Sequence, residues 1–327
     1  MNRRRVLLGA LAGMALAGPF SLHAQRAPRR VHVLHSGNAV EGAPGFKALS
    51  EGLLALGWVQ GRNLAMEVSS AEGGPESLTR LAAEIVRAAP EVVVAYGPSA
   101  AQALKKTGTS LPVVFIAVFN PIALGLAESL PRPGGSFTGL STGVAGDFFS
   151  KQLSLLREAV PKATRLAMLS NPSNPIHALF RNYRTESARK LGFEPIELQA
   201  AKPEEIEPAF REAARQRAGA MYVGGDPLAM SQRPLIAELA LRHRLPTLFL
   251  FSQHVEAGGL MSYGTNLPEL SRRAAGYVDK ILKGALPRDL PIEQPTTFDL
   301  AINLKTAKAL GLTIPQSLLL RANRVIE

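Results

Sequence analysis

Short apolar runs alternate with amphipathic helical stretches along nearly the whole chain, and this alternation limits the fold more than any motif does. Val31-His32-Val33-Leu34 reads as a buried strand, and Phe46, Leu49, Leu53 and Leu56 then recur at helical spacing up to Gly57. Residues 64–68, 92–94 and 113–118 continue as strands, with helices opening at Pro75 and Ser99 between them. After Gly134 to Gly139 the rhythm starts again: strands at 166–169, 195–198, 221–223 and 247–251, helices at 148–160, 176–191, 203–216 and 234–241. Strands this apolar need both faces covered, which means parallel sheets under helices. Two such sets predict two doubly wound parallel-sheet lobes with a central cleft.

The tail adds strand-like runs at 260–263 and 298–302 around a helix at 268–283. The economical topology crosses first at Gly134 to Gly139, returns to the first lobe near Gly258 and crosses again near Pro295. That divides the chain into 28–140 plus 257–292, and 141–256 plus 293–327.

The amino terminus has a different character. Met1-Asn2-Arg3-Arg4-Arg5 is cationic, residues 6–20 are almost wholly apolar or small, and Leu22-His23-Ala24 ends in a small residue. This is the layout of a signal peptide over 1–24, too short for the ~20 residues of a membrane span. The paired arginines before Leu7-Leu8 also permit twin-arginine export, and a membrane anchor is the competing reading. The 327 residues contain no cysteine, which excludes a lipid-modified cysteine, disulfides and thiolate chemistry. The expectation is an exported, periplasmic protein with two domains. Its charge is +11, and loss of Arg3, Arg4 and Arg5 leaves +8. The remaining basic residues are scattered without interleaved aromatic rings, which argues against nucleic acid as a partner.

In open parallel sheets the ligand crevice lies at the carboxyl ends of the strands. Those ends carry Ser36 and Gly37; Tyr96, Gly97, Ser99 and Ala100; Phe119 and Asn120; Asn171 and Asn174; Asp226; and Ser252. Small hydroxyls, amides, glycines and aromatic rings suit a small polar molecule, and none of them breaks bonds unaided. Ser99 starts a helix whose free N–H groups could hold a carboxylate, worth ~0.3–1 kcal/mol when exposed. Asp226 is the lone carboxylate in these loops and could meet a ligand ammonium, so the pair suits an amino acid. Against this, Ser99 could simply cap its helix, and Asp226 before Pro227 is an ordinary turn residue. Tyr96, Phe119 and Tyr263 could wall the pocket or belong to the core.

The chain has no G-x-G-x-x-G after its first strand, no P-loop and no G-x-S-x-G elbow. Its histidines do not pair at metal-ligand spacing, and no carboxylate lies beside His35 or His254 to orient a base. The reading is therefore no enzyme, no metal and no cofactor. A secreted enzyme on the same fold and a sensor for a membrane partner remain the alternatives.

Several stretches carry a resemblance: Leu53 to Asn63 (LLALGWVQGRN), Pro112 to Phe115 through Asn120-Pro121, Pro133 to Gly139, Ile281 to Gly284, and Ile302 to Ala307 with Gly311, Ile314-Pro315 and Leu318-Leu319. In order and spacing they resemble the periplasmic substrate-binding proteins of ABC importers whose members bind amino acids such as tryptophan and tyrosine. The resemblance implies type I periplasmic-binding-protein lobes joined by a three-segment hinge. It also implies a small-molecule ligand, amino acid-like, and an ABC permease and ATPase on other chains, with the receptor itself a monomer. It places the cleft at Ser36, Gly97 to Ala100, Asn120, Asn171 to Asn174, Asp226 and Ser252. Asn120 departs from the aspartate common at that position, and Gly97-Pro98-Ser99 departs from the usual Thr-Pro or Ser-Pro start.

Overall fold

The computed structural model describes residues 27–37, 44–71, 75–143 and 148–327. The signal-peptide reading of 1–24 lies outside them. Within the first lobe run β1 (Arg29–His35), α1 (Pro44–Ala55), β2 (Leu64–Ser70), α2 (Pro75–Ala88), β3 (Val92–Tyr96), α3 (Gly97–Lys106), β4 (Val113–Phe119) and β5 (Phe137–Gly143). The five strands pair in the order β2-β1-β3-β4-β5, every pair parallel. β3 and β4 are built from Val, Ile, Phe and Ala and are almost wholly buried. One core lies on each face of this sheet, one around Val31, Leu49 and Val94, the other around Leu34, Ile85 and Phe115.

The second lobe contains α4 (Phe148–Ala159), β6 (Arg165–Ser170), α5 (Pro175–Leu179), α6 (Arg181–Lys190), β7 (Glu194–Gln199), α7 (Ile206–Arg215) and β8 (Ala220–Val223). It continues through α8 (Pro227–Ser231), α9 (Arg233–Arg242), β9 (Thr247–Phe249), α10 (Ser252–Glu256) and β10 (Met261–Gly264). Helix α11 (Leu267–Leu282) then returns to the first lobe, packing Leu270, Ala274, Val278 and Ile281 into the core beneath β1 and β3. The chain finishes in the second lobe with β11 (Asp299–Asn303), α12 (Leu304–Ala309), α13 (Gln316–Leu319) and β12 (Arg324–Ile326). The second sheet runs β12-β11-β10-β9-β8-β6-β7, with β10 and β11 antiparallel and the other pairs parallel. β11 runs the opposite way because the chain enters it after the excursion through α11.

Two crossings fall later than the sequence suggests. The glycine-rich stretch does not leave the first lobe: Phe137–Gly143 is the edge strand β5. Gly139 is needed there because an added Cβ would stand 2.0 Å from Phe115 O, at φ 147°. Likewise 261–264 pairs with β9 and β11, so the return to the first lobe comes at Thr265-Asn266 rather than near Gly258. The third crossing follows Ile292, close to the expected Pro295. Glu293 ties it down: its N–H donates to Gly139 O (3.0 Å), its C=O accepts from Ser141 N (2.8 Å), and its carboxylate meets Arg273 and the Tyr277 hydroxyl. Asn266 Nδ2 donates to Asp299 Oδ2 (3.3 Å), linking the second crossing to the strand that follows the third.

Candidate functional site

The carboxyl ends of β1, β3 and β4 face those of β6, β8 and β9, and a cavity lies between the two sets. The centre of a water-sized sphere ranges over about 100 Å³ inside it. The lobes touch at its rim, where a Cβ added to Gly37 would lie 3.0 Å from Pro227 Cβ.

The first-lobe wall is mostly ring and backbone. Tyr96 lines it with its hydroxyl turned away, donating to Ser271 Oγ of α11 (3.2 Å). Burial pushes that phenol well above its ordinary pKa, so it stays neutral. The His35 ring lies 5.6 Å from Tyr96, its Nδ1 met by the Gly37 backbone, and burial lowers its pKa. Gly97, at φ 80°, turns β3 straight into α3 with no linker. Tyr96 at the cap position gives no side-chain hydrogen bond, so the N–H groups of that first turn are not side-chain capped. β4 is bulged between Ile116 and Phe119, and Ala117 at φ 60° lines the cavity from the bulge. Phe119 closes this side, packed on Phe148, Phe149 and Phe180 of the second lobe at 5.2–6.2 Å between ring centres.

The second-lobe wall holds the charges. Asp226, 7% exposed, caps α8 by accepting Leu228 N–H at Oδ1 (2.8 Å). Asn171 Nδ2 donates to the same oxygen (3.1 Å) and Asn174 Nδ2 to Oδ2 (2.9 Å). His177 is 3% exposed; its Nδ1 accepts Asn171 N–H (2.8 Å), which places the ring proton on Nε2, facing Gly225 O (3.2 Å). Burial pushes this imidazole down to about 4, with the Asp226 carboxylate opposing and Arg184 assisting. Both ring nitrogens are committed, leaving neither a lone pair nor a proton for chemistry on a bound molecule.

Arg184, on α6, is 4% exposed and lines the same wall. Its Nη2 donates to His177 O (3.0 Å), the Tyr222 hydroxyl accepts a second bond, and Nε has no acceptor. Among the described residues no carboxylate lies within ion-pair distance of this guanidinium. Behind the wall, His254 stacks on Phe249 (4.6 Å) between Phe251 O and Ala229 O, and burial pushes it too down to about 4. Among the described residues no group of three His, Cys, Asp or Glu side chains is placed to hold a metal ion.

Of the residues singled out from sequence, Tyr96, Gly97, Phe119 and Asp226 line the cavity. Gly37 sits at the contact between lobes, and Ser36 beside Gly97 with its hydroxyl buried and unpartnered. Asn171 and Asn174 hold Asp226. Asn120, at φ 46°, forms a turn by accepting Ala123 N–H (3.1 Å). Ala100 faces the first-lobe core, while Ser99 and Ser252 stand beside cavity-lining neighbours without lining it themselves. Tyr263 backs the wall, stacked on Phe148 at 6.0 Å. The sequence reading passed over Arg184, Phe148, Phe149 and Tyr222. A usable signal was the inward stripe of α6, Arg184-Ser187-Ala188, which lacks the large apolar residues a core-facing stripe normally carries.

A family model described as ABC transporter substrate binding protein matches residues 32–326. A tyrosine-binding protein of Clostridioides difficile is 24% identical over 266 residues, 81% of this chain and 76% of that one. A conserved domain protein from Vibrio cholerae superposes with a TM-score of 0.84 at 27% identity, covering 91% of this chain and 99% of the other. An ABC domain from Streptococcus pneumoniae in complex with L-Trp gives 0.83 at 25% identity, covering 92% and 100%.

Proposed function

The chain belongs to the ABC transporter substrate binding protein family, and from that premise we propose that it is an exported receptor which captures an amino acid-like ligand by lobe closure and delivers it to a membrane permease. The observation that carries this reading is the cavity itself. Each lobe supplies part of its wall, so a bound molecule gains the full set of contacts only in the closed form, and binding shifts the population towards closure. The aromatic and apolar lining, with two charged groups on one side, suits a molecule with a ring or hydrocarbon body and a polar end. The relatives named for tyrosine and complexed with L-Trp support the same class. Residues 1–24 have the layout of an export signal, and among the described residues no helix is long and apolar enough to cross a membrane. The permease and its ATPase would be separate chains, and a monomeric receptor suits docking on them.

Small-angle scattering together with a thermal-shift screen of the amino acids tests this. The expected result is a ligand that raises the melting temperature and also contracts the particle. A ligand that stabilises the protein without any contraction would remove closure from the mechanism.

A further inference from the structure

Arg184 poses a problem of charge. Its guanidinium is 4% exposed, lies in the wall of the cavity between the lobes and, among the described residues, has only neutral oxygens as partners. A cation taken out of water at this depth is strongly destabilising unless an anion meets it. The nearby carboxylate, Asp226, is spoken for: three N–H groups from Asn171, Asn174 and Leu228 converge on its two oxygens. His177 is neutral and adds no charge. Gly224 permits the crowding, since an added Cβ would stand 2.7 Å from His177 Nε2 and 3.4 Å from Arg184 Nη1. A side chain of this size held so tightly, on a helix stripe otherwise made of serine and alanine, is placed rather than incidental.

We propose that Arg184 is the anchor for the ligand's carboxylate, and hence that the cavity selects organic acids with a flat apolar body, the α-amino group being secondary. This rests on the receptor reading above and deepens it. An arginine fork matches a carboxylate in shape as well as charge. The body of the acid would then lie along Tyr96, Phe119, Phe148 and Phe149, and the free N–H groups at the start of α3 need not hold the acid group at all.

The experiment compares matched probes by calorimetry and thermal shift on the mature protein. L-tryptophan and indole-3-propionate carry a carboxylate; L-tryptophan amide keeps the ring and ammonium but lacks it. In the natural protein both acids are expected to bind about 30- to 100-fold more tightly than the amide, the range of charge-assisted hydrogen bonds. In Arg184→Gln the acids should lose that factor while the amide binds at least as well as before. A variant that merely folds poorly would weaken all three together and would count against the assignment. The comparison of acid with amide in the natural protein needs no variant and stands by itself. Equal binding of amide and acids there removes Arg184 as anchor and leaves the receptor reading intact. No binding by any of the three overturns both the acid class and the amino acid reading.

Discussion

The two walls of the cavity are built on different terms. The first lobe offers rings, a bulged strand and the bare start of a helix, and its one phenol points away from the space it encloses. The second lobe offers a hydrogen-bonded assembly of Asn171, Asn174, His177, Arg184 and Asp226, wired before any ligand arrives. On the receptor reading, recognition of charge would fall to the second half, whose Phe148, Phe149 and Tyr222 share the enclosure with the first. The polar half has little freedom to adapt, because each group orients the next. The first half presents mainly rings and backbone and can tolerate changes of ring or chain.

Disrupting the wired half should do most damage. Asp226→Ala leaves two amides and one backbone N–H without their acceptor, and a stability loss of about 4 kcal/mol is expected in urea unfolding. A loss below ~1 kcal/mol would mean that the second wall is not pre-assembled. Phe119→Ala attacks the contact between the halves, removing a ring packed on three others, and should cost about 3 kcal/mol. The same change should weaken closure in scattering, whereas unchanged contraction would place the closing contacts elsewhere.

A pH series sharpens the comparison, since the two imidazoles held down to about 4, His177 and His254, both belong to the second lobe. In the unfolded chain they titrate near 6.5, so between pH 6.5 and about 4 the unfolded state takes up more protons and stability falls as the pH falls. The expected slope is roughly 1 kcal/mol per pH unit for each imidazole. His177→Gln should remove one of these shares, leaving those of His254 and of the lowered His35 and His32 in the first lobe, and an unaltered slope would dissociate the acid sensitivity from this wall. The smallest effect belongs to the first lobe: Tyr96→Phe deletes one buried hydrogen bond to Ser271, about 1 kcal/mol. Ligand affinity in that variant should stay within about threefold.

The architecture was legible because strand and helix periodicities alternate cleanly, and the loops at strand ends were found because parallel topology dictates where they gather. Two short strands were misplaced for a physical reason. Phe137–Gly143 is rich in Gly, Thr and Ser and reads as a linker, yet Thr138 and Ser141 are buried with their hydroxyls bonded to Leu290 O and Gly143 O. Met261–Gly264 is only four residues long, and nothing local tells which sheet will accept it. Arg184 was invisible for another reason. Among Arg181, Arg184 and Arg189 on one short polar helix, only packing against the neighbouring elements decides which one turns inward. Asp226 was visible as a carboxylate in the right loop, but its partners come from residues some fifty positions earlier in the chain.

Helix α11 has a consequence for how the molecule is put together. Gly52 of α1 lies so close to it that an added Cβ would stand 2.8 Å from Ala275 Cβ, and Trp58 Nε1 donates to Asp279 Oδ1 across 221 positions. The half that leaves the ribosome first therefore lacks one side of its interior until Leu282 has been made. The later half waits longer still, because Leu300, Ile302, Ile314 and Leu318 of its core lie beyond α11. Neither half can close its interior until the last fifth of the chain is made, and a fragment ending before α11 should remain a loose, protease-sensitive chain.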